Sequence, residues 1–177
     1  EYVTISSEGS GIDYGDLSRT ATLLPGFSSA TRGVVLGDYS NNVATTQFMT
    51  ISTGGTTSDY GDSTSRRRSS AAASNAVRGI EGGGYTIPGG SKVNTLDFYT
   101  IATLNNAADF GDLTSTRDLL GGASSPTRAV FFGGETPSKV NTMDYVQFAS
   151  EGNAIDFGDL TQSMYTSGGT SNGHGGL

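Results

Sequence analysis

The feature that most constrains this chain is an internal repeat. Four segments align without gaps: Tyr2 to Leu17 (YVTISSEGSGIDYGDL), Phe48 to Ser63 (FMTISTGGTTSDYGDS), Phe98 to Leu113 (FYTIATLNNAADFGDL) and Tyr145 to Leu160 (YVQFASEGNAIDFGDL). In each, an aromatic residue is followed twelve positions later by a second aromatic that opens a Gly-Asp pair, giving Tyr14-Gly15-Asp16, Tyr60-Gly61-Asp62, Phe110-Gly111-Asp112 and Phe157-Gly158-Asp159. A fixed period of this size means that one supersecondary unit is used repeatedly, and that each copy buries its apolar face against its neighbours. The length differences between copies fall in stretches rich in Gly, Ser, Asn and Pro, which read as loops.

Within a unit, four strand-like runs can be marked. In the third unit, Thr95 to Ala102 alternates aromatic and β-branched residues with smaller or polar ones, as a half-buried strand does. Asn105 and Asn106 make a turn. Ala108 to Leu113 is a second strand in which Gly111 predicts a bulge or a close backbone approach. Leu119 to Ser125 is small and apolar, suited to an inner position where sheets crowd together. Arg128 to Gly134 is a continuous apolar run, and the same series places strands at Arg32 to Gly37 and Arg78 to Gly84. Four strands in a unit of about 47 residues match a propeller blade. The expected fold is all-β, one domain over 1–177: a four-bladed propeller of sixteen strands closed by its two ends, or the last four blades of a larger ring. The chain opens at Glu1 rather than Met, so it is expected to be a piece of something longer.

The residues that carry the repeat also carry a resemblance. A Gly pair after an apolar strand (Gly82-Gly83, Gly133-Gly134), an aromatic in each of the next two strands, and an Arg beyond them (Arg19, Arg66 or Arg117) resemble a diverged kelch repeat across essentially the whole chain. Tyr14, Tyr60, Phe110 and Phe157 stand where that family has Trp, and the first unit has Gly37-Asp38 in place of the Gly pair. The wording TRGV or TRAV, then NT-DY, IA and DFGDLT, is similar to kelch-like repeat proteins of tailed bacteriophages, notably those of marine cyanobacteria. That resemblance implies a structural protein of the virion (a fibre, spike or capsid decoration component) that touches other virion proteins or a host-surface glycan or protein, and that could self-associate.

Several chemistries are disfavoured. Cysteine is absent and His174 is the single histidine, which removes disulfides, thiol nucleophiles and His-based metal cages. The copper enzymes built on kelch propellers use two histidines, tyrosines and a cysteine, so that activity is not expected. The net charge of −7 gives no field to attract phosphates, so no nucleic-acid partner is expected. The one basic cluster, Arg66, Arg67 and Arg68, reads as a solvated strand edge. No apolar run approaches the roughly 18 residues needed to span a bilayer, so no membrane insertion is expected. Glu8, Glu81, Glu135 and Glu151 show no convergent pattern in the sequence, and the expectation is a chain that is not an enzyme and has no cofactor.

The repeated carboxylates, Asp13 and Asp16, Asp59 and Asp62, Asp109 and Asp112, Asp156 and Asp159, could share calcium, which takes six to eight oxygens. The reading favoured here is structural: an Asp beside a turn accepts hydrogen bonds from nearby backbone N–H groups. Arg32, Arg78 and Arg128 open the apolar strand of three units, and a bidentate bridge to the repeated Asp residues of a neighbouring blade is expected of them. Binding specificity should lie in what varies between copies. These are the loops around Asp38 and Tyr39, around Tyr85 and Lys92, and around Glu135 and Lys139. The expected site of action is the virion; the rival reading is a secreted bacterial adhesion module that holds carbohydrate.

Overall fold

The computed structural model describes residues 1–4, 6–19, 22–37, 44–165 and 168–169. Among them there are no helices, and the strands form four antiparallel sheets. The first sheet is a meander of β1 (Gly26–Ser28), β2 (Arg32–Val35), β3 (Thr45–Thr50) and β4 (Ser58–Asp62). A ribbon of β5 (Arg67–Arg68) and β8 (Tyr85–Thr86) sits beside the second meander, which consists of β6 (Ala71–Ser74), β7 (Arg78–Gly82), β9 (Thr95–Thr100) and β10 (Ala108–Asp112). The third contains β11 (Gly121–Ser124), β12 (Arg128–Phe132), β13 (Val140–Gln147) and β14 (Ile155–Met164). At the N-terminus, Tyr2 and Ile12 pair across a hairpin.

The repeat is therefore real, but its phase differs from the aligned segments. Each sheet takes its first two strands from the chain between two aligned segments and its last two largely from the segment that follows. Sixteen strands in four complete blades are not found: the described residues give three four-stranded sheets, the ribbon and the N-terminal hairpin, and no strand pairing joins β14 to that hairpin. The strands at the C-terminus that would complete a fourth sheet fall on 170–177, outside the described residues.

The core lies between sheets. Phe27, Val34, Leu36, Tyr60, Tyr99 and Ile101 fill the space between the first and second, and Ile80, Leu96, Phe110, Phe131, Val146 and Phe148 are prominent among those between the second and third. Small residues let the first strands meet: β1 lies against β6 and β6 against β11. A side chain at Gly122 of β11 would come within 2.4 Å of the Ala72 carbonyl oxygen, so Gly there is a requirement of the approach.

The Gly of each Gly-Asp pair is a bulge, as its place in a strand predicts. The ladder slips between Asp109 and Gly111 opposite β9, and corresponding slips occur where β3 meets β4 and β13 meets β14. The glycines have φ of +134° (Gly15), +142° (Gly61), +144° (Gly111) and +127° (Gly158), a region that side chains rarely tolerate. The bulge turns the strand so that the turn of the following unit can be seated on it.

Candidate functional site

The repeated polar residues hold the bulges and join the sheets. Asp13, Asp59 and Asp156 each accept a hydrogen bond from the backbone N–H two residues on, at Gly15 (3.1 Å), Gly61 (3.2 Å) and Gly158 (3.0 Å). This local bond occupies the carboxylate on the backbone it shapes. The second residue of each pair acts through its main chain: the Asp16, Asp62 and Asp112 carbonyls accept from Thr57 (2.9 Å), Ala107 (2.8 Å) and Ala154 (2.7 Å) of the next unit. The intervening aromatics stack edge-on to their strand neighbours, with Tyr60 against Phe48, Phe110 against Phe98 and Phe157 against Tyr145. The Tyr14 and Tyr60 hydroxyls reach across to the Ile51 and Thr100 carbonyls.

Arg32, Arg78 and Arg128 do not bridge to these Asp residues as expected. Each guanidinium lies about 5 Å over a ring on its own sheet, at Phe48, Phe98 and Tyr145 respectively. Arg32 and Arg78 donate to the carbonyls of Ile101 (2.7 Å) and Phe148 (2.8 Å) on the following sheet. They do join sheets, but the acceptor is a carbonyl at the end of a strand. The Asp13, Asp59 and Asp156 carboxylates are already engaged by their own bulges.

The ionic bridge lies elsewhere, in part on the Arg66 to Arg68 run that reads in the sequence as a solvated edge. Arg67 is fully buried, with Nε 3.1 Å from Glu81 and Nη2 2.8 Å from Asp97. Its expected position on a solvated edge is wrong because the middle Arg of the run points between the strands while β5 pairs with β8. Arg117 repeats the arrangement with Asp144, and also donates to the Gly133 (2.9 Å) and Thr142 (3.0 Å) carbonyls. Burial lowers the Arg117 guanidinium below its ordinary range and Asp144 only partly offsets it. Burial acts on Arg67 in the same direction, but Glu81 and Asp97 together outweigh it and hold the group above its ordinary value. Tyr99, which donates to Glu81 (3.1 Å), is pushed well above the ordinary phenol range by burial and then by that carboxylate. The signal for both buried arginines was present: each stands five residues beyond a Gly-Asp pair, Asp62 to Arg67 and Asp112 to Arg117.

The variable loops meet in a half-buried cluster flanked by the exposed Lys139 and Tyr165. Tyr85 pairs with Lys92 across their loop, and Glu135 pairs with both Asp118 and Lys139. Lys92 crosses between the two loops, with Nζ 3.0 Å from Asp118 and 2.8 Å from Glu135, and it also donates to the Glu135 carbonyl (3.0 Å). Partial burial pulls Lys92 down, but the two carboxylates prevail and keep it above the usual lysine value. Arg68 covers the Tyr85 ring at 5.1 Å, and Lys139 covers Tyr165 at 4.5 Å. Tyr85, Lys92, Glu135 and Lys139 are thus brought together, joined by Arg68, Asp118 and Tyr165, which sequence reasoning had not selected. Asp38, Tyr39 and His174 lie outside the described residues.

No protein-family model matches this chain, and no curated protein matches it.

Proposed function

We propose that this chain is a non-enzymatic recognition module that binds a protein or a host-surface glycan through the face carrying Tyr85, Lys92, Glu135 and Lys139. The observation that carries the reading is the Lys92 junction. One ammonium fastens the loop of the second sheet to the loop of the third, so two aromatics, three cations and two acids are presented on a pre-ordered surface. Ordering loops before a partner arrives lowers the entropy cost of binding. The repeated Asp and Arg residues, by contrast, are occupied in holding the sheets.

The architecture we propose is a kelch-like propeller. Four-stranded meanders whose first strands pack side by side, with cores between successive sheets, support it. Placement in a tailed-phage virion rests on the resemblance in sequence, and the module would there be a fibre, spike or decoration component. Mass spectrometry of purified particles tests the placement: peptides of this chain are expected at stoichiometric abundance, and their absence would sink it. For the binding face, a glycan array and a pull-down of virion proteins should each be run with Tyr85→Ala and Lys139→Ala. The reading requires that a captured ligand be lost on substitution while the melting temperature is kept.

A further inference from the structure

We propose that the outer edge of the third sheet, at Phe157-Gly158-Asp159, is a docking site for the Glu8–Gly11 turn of a second copy of this chain. The molecule shows three times what covers such an edge. At Tyr14-Gly15-Asp16, Gly55 and Thr57 donate to the Tyr14 (2.8 Å) and Asp16 (2.9 Å) carbonyls. At Tyr60-Gly61-Asp62, Ala107 donates to the Asp62 carbonyl (2.8 Å), and the Asp62 N–H donates to Asn106 Oδ1 (3.0 Å). At Phe110-Gly111-Asp112, Gly152 and Ala154 donate to Phe110 (2.8 Å) and Asp112 (2.7 Å), and Asp112 N–H donates to Asn153 Oδ1 (3.1 Å). In every case the cover is the turn between the third and fourth strands of the next unit.

The fourth edge has the same form, and none of the described residues covers it in this way. Gly158 keeps the positive φ, the Asp156 bond and the Phe157 ring against Tyr145. Where a side chain at Gly15, Gly61 or Gly111 would meet backbone at 2.2, 2.7 or 2.4 Å, one at Gly158 would meet only the tip of Met143 at 4.0 Å. Phe157 is 48% exposed, against 2% for Tyr60 and 3% for Phe110.

The matching turn, Glu8–Gly11, is exposed on the N-terminal hairpin, with only Glu1 of its own hairpin close to Gly11. Gly9, Ser10 and Gly11 lie five, four and three residues before Tyr14, as Gly152, Asn153 and Ala154 lie before Phe157. A side chain at Gly9 would meet nothing within 4 Å. Val3, in the position of the buried Tyr99 and Val146, is 60% exposed. Seating this turn on the Phe157 edge would pair Gly9 N–H with the Phe157 carbonyl and Gly11 N–H with that of Asp159, and would lay Val3 against the Phe157 ring. Because the two surfaces differ, a contact between copies is head-to-tail.

Sedimentation of the 177-residue chain across a concentration series should show assembly beyond dimer. Phe157→Asp and Val3→Asp should each lower the association constant by roughly tenfold or more while leaving the circular dichroism spectrum and melting temperature of the dilute protein in place. Mixing the two variants should then give a species that stops at a one-to-one dimer, since each retains one intact end. If Val3→Asp fails to fold, Gly9→Pro, which removes one donor from the same exposed turn, serves as its replacement. A chain that stays monomeric at every concentration overturns the proposal. So does a Ser10→Cys, Asp159→Cys double variant that cross-links only within single chains, because the edge would then be covered by the chain's own turn.

Discussion

The interior of the first sheet and the interiors of the second and third solve the same problem with different charge. Asp97 and Asp144 are buried at equivalent places on the third strand, and each takes a Thr hydroxyl at 2.7 Å (Thr64 and Thr114) and a buried guanidinium. In the first sheet that position is Gln47. It is equally buried and accepts from Ser18 Oγ (2.7 Å) and Thr57 Oγ1 (2.5 Å), and the residue five beyond Asp16 is Ala21 instead of Arg. The hydroxyl partner persists, while acid and base are present together or absent together. A buried ion of either sign without its partner is costly, whereas a neutral hydrogen-bonded group of similar shape can replace the pair.

The largest effect should come from breaking the pair on one side only. Asp144→Ala leaves Arg117 charged in the core and should cost about 3–5 kcal/mol, read from denaturant unfolding. Arg117→Ala with Asp144→Gln, which rebuilds the first sheet's solution in the third, should cost less than the sum of the single changes by about 1–3 kcal/mol. Strict additivity would mean that the two groups are not coupled.

The bulges extend the comparison to the backbone. Gly111→Ala forces a side chain into a left-handed conformation and into the Gly152 carbonyl, so it should cost about 1–3 kcal/mol from conformation and more from displacing the turn. Gly158→Ala meets open space and should bear the conformational part alone. Equal losses in melting temperature would remove the inference that the next unit's turn makes the difference.

Two smaller effects follow. Tyr60→Phe removes the bond to the Thr100 carbonyl (2.6 Å) and should cost about 1 kcal/mol, whereas Phe110 already lacks the hydroxyl. The last concerns pH. Burial raises the Asp97 carboxyl above its ordinary value, with Arg67 opposing. Between the ordinary and raised values the folded chain holds a proton that the unfolded chain has released, so this group's contribution is full at lower pH and is lost as pH rises through the raised value. Asp97→Asn should remove that dependence from a plot of urea midpoint against pH.

What the sequence revealed was the part written in backbone chemistry. Gly111 inside an otherwise strand-like run predicts a bulge, and both it and the apolar run from Arg128 are found where spacing puts them, whereas the turn expected at Asn105-Asn106 falls earlier in the same connection, where Thr103 N–H donates to the Thr100 carbonyl. What it hid depended on direction. A run of three arginines reads as solvated because nothing in the string says that the middle one turns inward toward Glu81 and Asp97. Arg78 is expected to bridge to a repeated Asp, yet its acceptor is a carbonyl, and carbonyls are present at every residue and mark nothing in a sequence. The loop face shows the same limit, since Lys92 and Glu135 were both selected but their contact across 43 residues was not visible.

At its outer edge the seam between successive sheets is written largely in main-chain atoms, with glycine as a strict demand. A joint of that kind places few restrictions on the faces around it. Units can therefore diverge in their outer loops, exchange a salt bridge for an amide inside, or be multiplied along the chain, and the fit between neighbours survives each change.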